Sequence, residues 1–192
     1  MSTPTGNAPP GGTVPVVRAR REISDNRYLT YVEEDLLDRH GRPYTYYQVE
    51  SKWDAVVVVP VFSDGRLLVE RIYRHPYHRY LLEFPAGGIE HDEDPQVAAR
   101  RELAEETGHH AARLTTLGSL EVLPGLLRMR LHIVLAEELT GGGTQRLDGM
   151  ELLECRTVSQ AEAWSEAQAQ PASSFLVLGL LYLQRHRGLP PA

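Results

Sequence analysis

The chain is predicted to be an α/β sandwich, with helices covering both faces of a mixed sheet and a small antiparallel strand region at the N-terminal end. Three observations predict it. Segments rich in Val, Tyr and Thr fill the first half, helical segments follow strands in the second, and WDAVVVVPVF is a continuous apolar run of the kind found in strands buried on both faces. With 192 residues, 42% hydrophobic and 24% charged, the composition is that of an ordinary globular protein with a substantial core.

Residues 1–15, MSTPTGNAPPGGTVP, read as a flexible tail. They are rich in Pro, Gly, Ser and Thr and lack the basic-then-apolar order of a signal peptide. Residues 16–52 form the N-terminal strand region, in which VVRARREIS, RYLTYVEEDLLD and PYTYYQVES make a meander and RHGRP turns between the second and third. Residues 53–188 form the main domain. There WDAVVVVPVF and RLLVERIYR, joined by SDG, read as a hairpin, and LLEFPAGGIE reads as a short strand that breaks at Pro85 into a glycine loop. A helix over 95–107 follows, with Asp94 as N-cap, Pro95 as first helical residue and Gly108 just past the end. LTTLGSLEVLPG and RMRLHIVLAEEL are strands, TGGGTQRLDG is a loop, and MELLECRTV returns as a strand. SQAEAWSEAQAQ is a helix capped by Ser159, and a last helix runs from near Ser173 to about Arg187 with Phe175, Leu176, Leu180 and Leu183 on its apolar stripe.

Several function classes are disfavoured. A formal net charge of −6 and a pI near 5.8 argue against nucleic-acid binding through general phosphate attraction. The longest apolar run near the C-terminus, FLVLGLLYL, is nine residues, too short to span a bilayer, so no membrane partner is expected. Cys155 is the single cysteine, which excludes an intrachain disulfide and a multi-cysteine zinc site. It reads as a small buried hydrophobe in a reducing, cytoplasmic protein. In RHPYHRY, His75 and His78 have no second ligand pair to make a zinc site, and Trp53 and Trp164 read as packing aromatics.

The chemistry concentrates in RRELAEETG, residues 100–108. Glu102 and Glu106 are one helical turn apart on the same face and Glu105 flanks them, an arrangement that repels itself unless a cation is present. Carboxylate oxygens without cysteine suit Mg²⁺, with Mn²⁺ as a second option, and magnesium commonly bridges carboxylates to substrate phosphates.

This pattern resembles the Nudix hydrolases, whose signature has Gly, five residues, Glu, seven residues, then Arg-Glu-aliphatic-any-Glu-Glu-any-Gly. Gly87, Glu93, Arg101, Glu102, Leu103, Glu105, Glu106 and Gly108 fall in register over 22 residues, and His109 stands where an apolar residue is usual. Tyr73, Arg74, Pro76, Glu83, Pro85, Ala86 and Gly87, with Pro124 sixteen residues after Gly108, are similar to the ADP-ribose pyrophosphatase branch.

The resemblance implies the Nudix α/β/α sandwich and a metal site of Glu102, Glu106, Glu105 and the Ala86 carbonyl. It implies Arg101 orienting the glutamates, and Arg74, with Glu83 and Gly87, at the substrate. Glu105 and Glu151 are the implied catalytic carboxylates for the attacking water. It also implies a homodimer built through the N-terminal strands. The activity implied is Mg²⁺-dependent hydrolysis of a nucleoside diphosphate sugar, ADP-ribose to AMP and ribose 5-phosphate. After Pro124 the chain reads PGLLRMRLH, with Arg128 and Met129 in place of the acidic pair of many ADP-ribose hydrolases. That departure keeps other sugar nucleotides open, such as GDP-mannose or UDP-glucose, along with a regulator that binds without cleaving.

Overall fold

The computed structural model describes residues 14–147, 149, 152–169 and 171–188. Its strands are β1 (Val16–Asp25), β2 (Leu29–Leu37), β3 (Pro43–Ser51), β4 (Ala55–Pro60), β5 (Leu67–Arg74), β6 (Arg79–Glu83), β7 (Ala86–Gly88), β8 (His109–Glu121), β9 (Leu127–Arg128), β10 (Arg130–Gly141) and β11 (Leu153–Val158). The helices are α1 (Pro95–Thr107), α2 (Gln160–Gln168) and α3 (Ser174–His186). Two compact units result, one containing the described residues up to Lys52 with Val122–Met129, the other Trp53–Glu121 with the described residues from Arg130 onward.

The first unit is one sheet in the order β1-β2-β3-β9, antiparallel except for the parallel β3–β9 pair. The Asn26 side chain accepts from the Tyr28 and Leu29 amides and sets the β1–β2 turn. Cross-strand ion pairs accompany the register: Arg21 with Glu33 and Asp35 at 2.6 and 2.7 Å, and Arg20 with Glu50 at 2.7 Å. Exposed pairs such as these are strongly screened by solvent, so they favour one register more than they hold the sheet together.

The second unit holds a mixed sheet, β7-β4-β10-β8, in which β4 and β10 run parallel, and an antiparallel sheet, β11-β5-β6. Val56 to Val59 of β4 are fully buried because both faces of the strand are covered. Val56 and Val58 pack with Ala98, Ala99 and Leu103 of α1. Val59 points the other way, toward α3, where Gly179 lies so close to Phe84 that no side chain fits between them. This is the expected sandwich, with helices on both faces.

Two local expectations are corrected. β4 and β5 do not form a hairpin; beyond the SDG turn they share one bridge, Val61 to Leu67, and then enter different sheets. β4 already has β7 and β10 as neighbours, which leaves no free edge for β5. The glycine segment after Pro85 is also not simply a loop, because Ala86–Gly88 pairs antiparallel with Ala55–Val57.

The helix ends follow local chemistry. Asp94 accepts from the Gln96 amide at 2.8 Å, and Gly108, at φ 68°, closes α1 by donating to Ala104 O. Ser159 and Glu162 form a reciprocal capping box on α2, and Ser173 caps α3. On α3, Leu176, Leu180 and Leu183 are buried as expected, but Phe175 is only half-buried and faces the Arg74 guanidinium, 5.8 Å from its ring centre. Among the described residues no helix is long and apolar enough to cross a membrane.

Candidate active site

Arg101 is the hub of the carboxylate cluster. Its Nε and Nη2 donate to the two oxygens of Glu93 at 3.1 and 2.9 Å, a bidentate pair that ties α1 to the turn before it. Nη1 donates to Glu102 at 2.6 Å and to Glu105 at 3.3 Å, and Nη2 also reaches the Gly88 carbonyl at 2.8 Å. One guanidinium thus holds three glutamates and the glycine strand in a single arrangement. These hydrogen bonds, Glu93 foremost, hold the Arg101 pKa well above its ordinary value, and Arg101 in turn holds Glu93 below the usual carboxylate range.

Strand β7 brings backbone against the helix. Gly87 lies directly on the Glu102 carboxylate, so that a methyl group at Gly87 would overlap it. The Ala86 amide donates to Glu106 Oε2 at 2.9 Å. Glu102 and Glu106 are 8% and 4% exposed, whereas the Glu105 side chain is 42% exposed and stands at the rim. Ala86, Gly87, Glu102, Glu105 and Glu106 therefore come together as expected. Their donors are hard oxygens, which fit a divalent cation such as magnesium. Among the described residues no three acidic, His or Cys side chains are grouped so as to hold a metal ion as they stand. Arg101 draws Glu102 and Glu105 toward itself, and the Ala86 amide engages Glu106.

The second expected group is Arg74 with Glu83. Arg74 donates to Glu83 Oε2 through Nε at 3.1 Å and Nη2 at 2.5 Å. Burial works against the Arg74 charge, but the Glu83 hydrogen bond and the fields of Glu83, Glu106 and Glu70 outweigh it and raise its pKa. Arg74 thus lies within the field of one α1 carboxylate, Glu106.

Glu70 is the residue that sequence reasoning missed. It is 1% exposed and stands on β5 opposite both Glu83 of β6 and Cys155 of β11. The available signal was a lone glutamate inside the apolar strand LLVERI.

The other singled-out residues fall elsewhere. Glu151 lies outside the described residues. Arg128 is on β9 of the first unit, 3.4 Å from Glu50. His109 stacks edge-on to Phe62 at 5.7 Å, with Nδ1 at 3.0 Å from the Thr107 carbonyl, so an imidazole fills the usual apolar place by packing and local hydrogen bonding. His75 and His78 sit on the exposed β5–β6 turn with ring centres 5.0 Å apart. Trp53 packs on Gly88, where a Cβ would stand 2.8 Å from the indole. Cys155 is half-buried against the α1 core cluster, and burial pushes its thiol up to about 12.

The family model described as the NUDIX domain matches residues 52–177. The chain is 32% identical over 146 residues to the ADP-ribose pyrophosphatase of Bacillus subtilis (strain 168), covering 76% of this chain and 78% of that protein. It is 31% identical over 126 residues to the ADP compounds hydrolase NudE of Escherichia coli (strain K12), covering 65% and 67%. A crystal structure of an ADP compounds hydrolase superposes with a TM-score of 0.82 at 25% identity, over 92% of this chain and 95% of that one.

Proposed function

This chain belongs to the Nudix family and is a Nudix hydrolase, and from that premise we propose that it cleaves the pyrophosphate bond of a nucleoside diphosphate sugar, ADP-ribose first among them, to AMP and ribose 5-phosphate. The observation that carries this reading is the gathering of Glu102, Glu105 and Glu106 against strand β7 around Arg101, with Arg74 held by buried Glu83 as a second cation. The similarity to two enzymes named for ADP-ribose and ADP compounds supports the choice of base and sugar.

The residues divide the work. Arg74 binds a phosphate oxygen and is kept oriented by Glu83. Arg101 tethers Glu102 and Glu105 beside the glycine strand and so keeps both carboxylates close to where a cation would bind. Gly87 leaves room for Glu102, and the Ala86 peptide faces Glu106. Glu102, Glu106 and the Ala86 carbonyl, assisted by Glu105, would hold Mg²⁺, or Mn²⁺ in its place. When bound, that cation neutralises the pyrophosphate oxygens and acidifies water. Glu105, the most exposed of the three, and Glu151 are the carboxylates suited to accept the proton of the attacking water. Water adds to one phosphorus, the bridging oxygen leaves with the other phosphate, and two monophosphates result.

A homodimer and a cytoplasmic setting belong to the same reading. Val16, Val17, Ile23, Tyr44 and Tyr47 of the first unit are about half exposed, which supports a second copy covering that sheet. Sedimentation at micromolar concentration tests it, and a monomer there removes it.

The test of the activity is a panel of ADP-ribose, GDP-mannose, UDP-glucose and dinucleotides, assayed for monophosphate release with Mg²⁺, with chelator, and with Glu106→Gln. Magnesium-dependent cleavage led by ADP-ribose and lost in the variant supports the proposal. Preference for another member moves the substrate; tight binding without turnover makes the protein a regulator.

A further inference from the structure

A cavity of about 390 Å³ opens beside Arg74 and Glu83, between the β5–β6 hairpin and the first turn of α3. Its volume falls within the range of small-ligand sites. Arg74 and Arg79 are direct cross-strand partners on that hairpin, so two guanidiniums face the same space. Like charges placed opposite one another destabilise a sheet unless each is compensated. Arg74 has Glu83.

Arg79 has no such partner among the described residues. It is half-buried, its Nη2 donates to the Pro171 carbonyl at 3.2 Å, and its guanidinium lies 5.8 Å from the Tyr77 ring centre. Its Nε is closed off from solvent and meets no acceptor among the described residues. Glu166 lines a smaller cavity that Arg79 also borders, but among the described residues no carboxylate lies within ion-pair distance of Arg79. Holding a partly desolvated cation without an anion is costly, and the cost is recovered when an anionic ligand arrives.

We propose that this cavity receives the sugar-phosphate half of the substrate, and that Arg79 extends the specificity beyond ADP-ribose, favouring over each neutral sugar its counterpart whose leaving half carries a second oxyanion, a phosphate ester or a carboxylate. Arg74 takes the pyrophosphate at the inner end, near the field of Glu106. Arg79, across the ladder, meets the far end of the sugar. A planar fork suits either oxyanion through paired hydrogen bonds. Tyr77, 66% exposed at the mouth, offers a ring face for the sugar. The inference rests on the hydrolase reading for turnover, but the subsite is testable by binding alone.

The experiment compares two matched pairs, ADP-ribose with ADP-ribose 1″-phosphate and UDP-glucose with UDP-glucuronate, on the full chain with Mg²⁺. The first pair tests a phosphate ester, the second a carboxylate. The charged member of at least one pair is expected to have about tenfold or more higher kcat/KM, expressed mainly in KM. Arg79→Gln is expected to collapse that ratio toward unity, and Arg79→Lys, which keeps the charge but loses the fork, to retain part of it. Calorimetric titration of the same pairs with Ca²⁺ in place of Mg²⁺ reads the preference without turnover. Absence of hydrolysis with the binding preference intact would sink the hydrolase reading and leave the subsite standing. Equal binding and equal turnover within both pairs, or a preference that survives Arg79→Gln, would overturn the subsite.

Discussion

The Glu102 carboxylate rests on the Cα of Gly87, with no space for a methyl group between them. The contact joins strand β7 to helix α1 at the point where the carboxylates gather. Gly87→Ala is therefore expected to push Glu102 away from Arg101 and from any cation it holds. A displacement near 1 Å at a reacting centre costs on the order of 10²-fold in rate, and the crowding costs about 1–3 kcal/mol of stability. Steady-state kinetics across a magnesium titration, together with urea unfolding, check both. A variant with unchanged kcat would show that Glu102 is not needed where the glycine places it.

Glu93 makes a pH prediction. Its bidentate pair with Arg101 holds its folded pKa below the ordinary 4.5. A depressed carboxylate stabilises the fold above its unfolded value, and that contribution disappears as pH falls through the folded value. Glu93→Gln should thus be less stable than the parent at neutral pH, with the gap narrowing as pH drops below about 4.5. Urea midpoints measured from pH 7 downward test the sign; a gap that widens in acid contradicts it.

How far these features were legible in the sequence depends on the range of the interaction. The ends of α1 were readable because Asp94, Pro95 and Gly108 act on backbone groups within one turn of themselves. The Nudix spacing placed Glu102, Glu105 and Glu106 on one helix, and the structure brings Arg74 within the field of Glu106. Pairing was harder, since it is decided between distant segments. The SDG turn fits a hairpin, but β4 takes its partners from β10 and β7, and nothing within the valine run of β4 announces either choice. Two adjacent glycines carry little strand propensity, so Gly87 and Gly88 read as loop until β4 lies beside them. Glu70 was hidden for the same reason, because its neighbours Glu83 and Cys155 arrive on two other strands.

Gly179 tests the opposite face of the sheet. Phe84 occupies the space a Cβ would need, and Val59 Cγ2 would stand 3.2 Å from it. Helix propensity alone favours Ala over Gly by about 1 kcal/mol. Here the packing cost is expected to win, since Phe84 is 1% exposed and has little room to retreat. Gly179→Ala should lower stability by about 1–3 kcal/mol, read as a shift in urea midpoint at constant slope. A stabilised variant would mean that α3 can slide away from β4 at no cost.

Cys155 lies across the ladder from Glu70, half-buried against the α1 core cluster. Burial, then the field of Glu70, pushes its thiol from an ordinary 9.0 to about 12, against a weaker opposing hydrogen bond from Gln145. The thiolate is the reactive form, so at pH 8 its population is lower in the folded chain by a factor on the order of 10³. Labelling by a thiol-specific disulfide reagent should be slower by roughly two to three orders of magnitude in the native protein than in denaturant. Linkage adds a second expectation. Between about 9 and 12 the unfolded chain ionises this thiol and the folded chain does not, so stability falls as pH rises through that window. Cys155→Ala removes this part of the slope. Native labelling within tenfold of the unfolded rate, or an alkaline slope unchanged in the variant, would show that the thiol is ordinary and that Glu70 does not act on it.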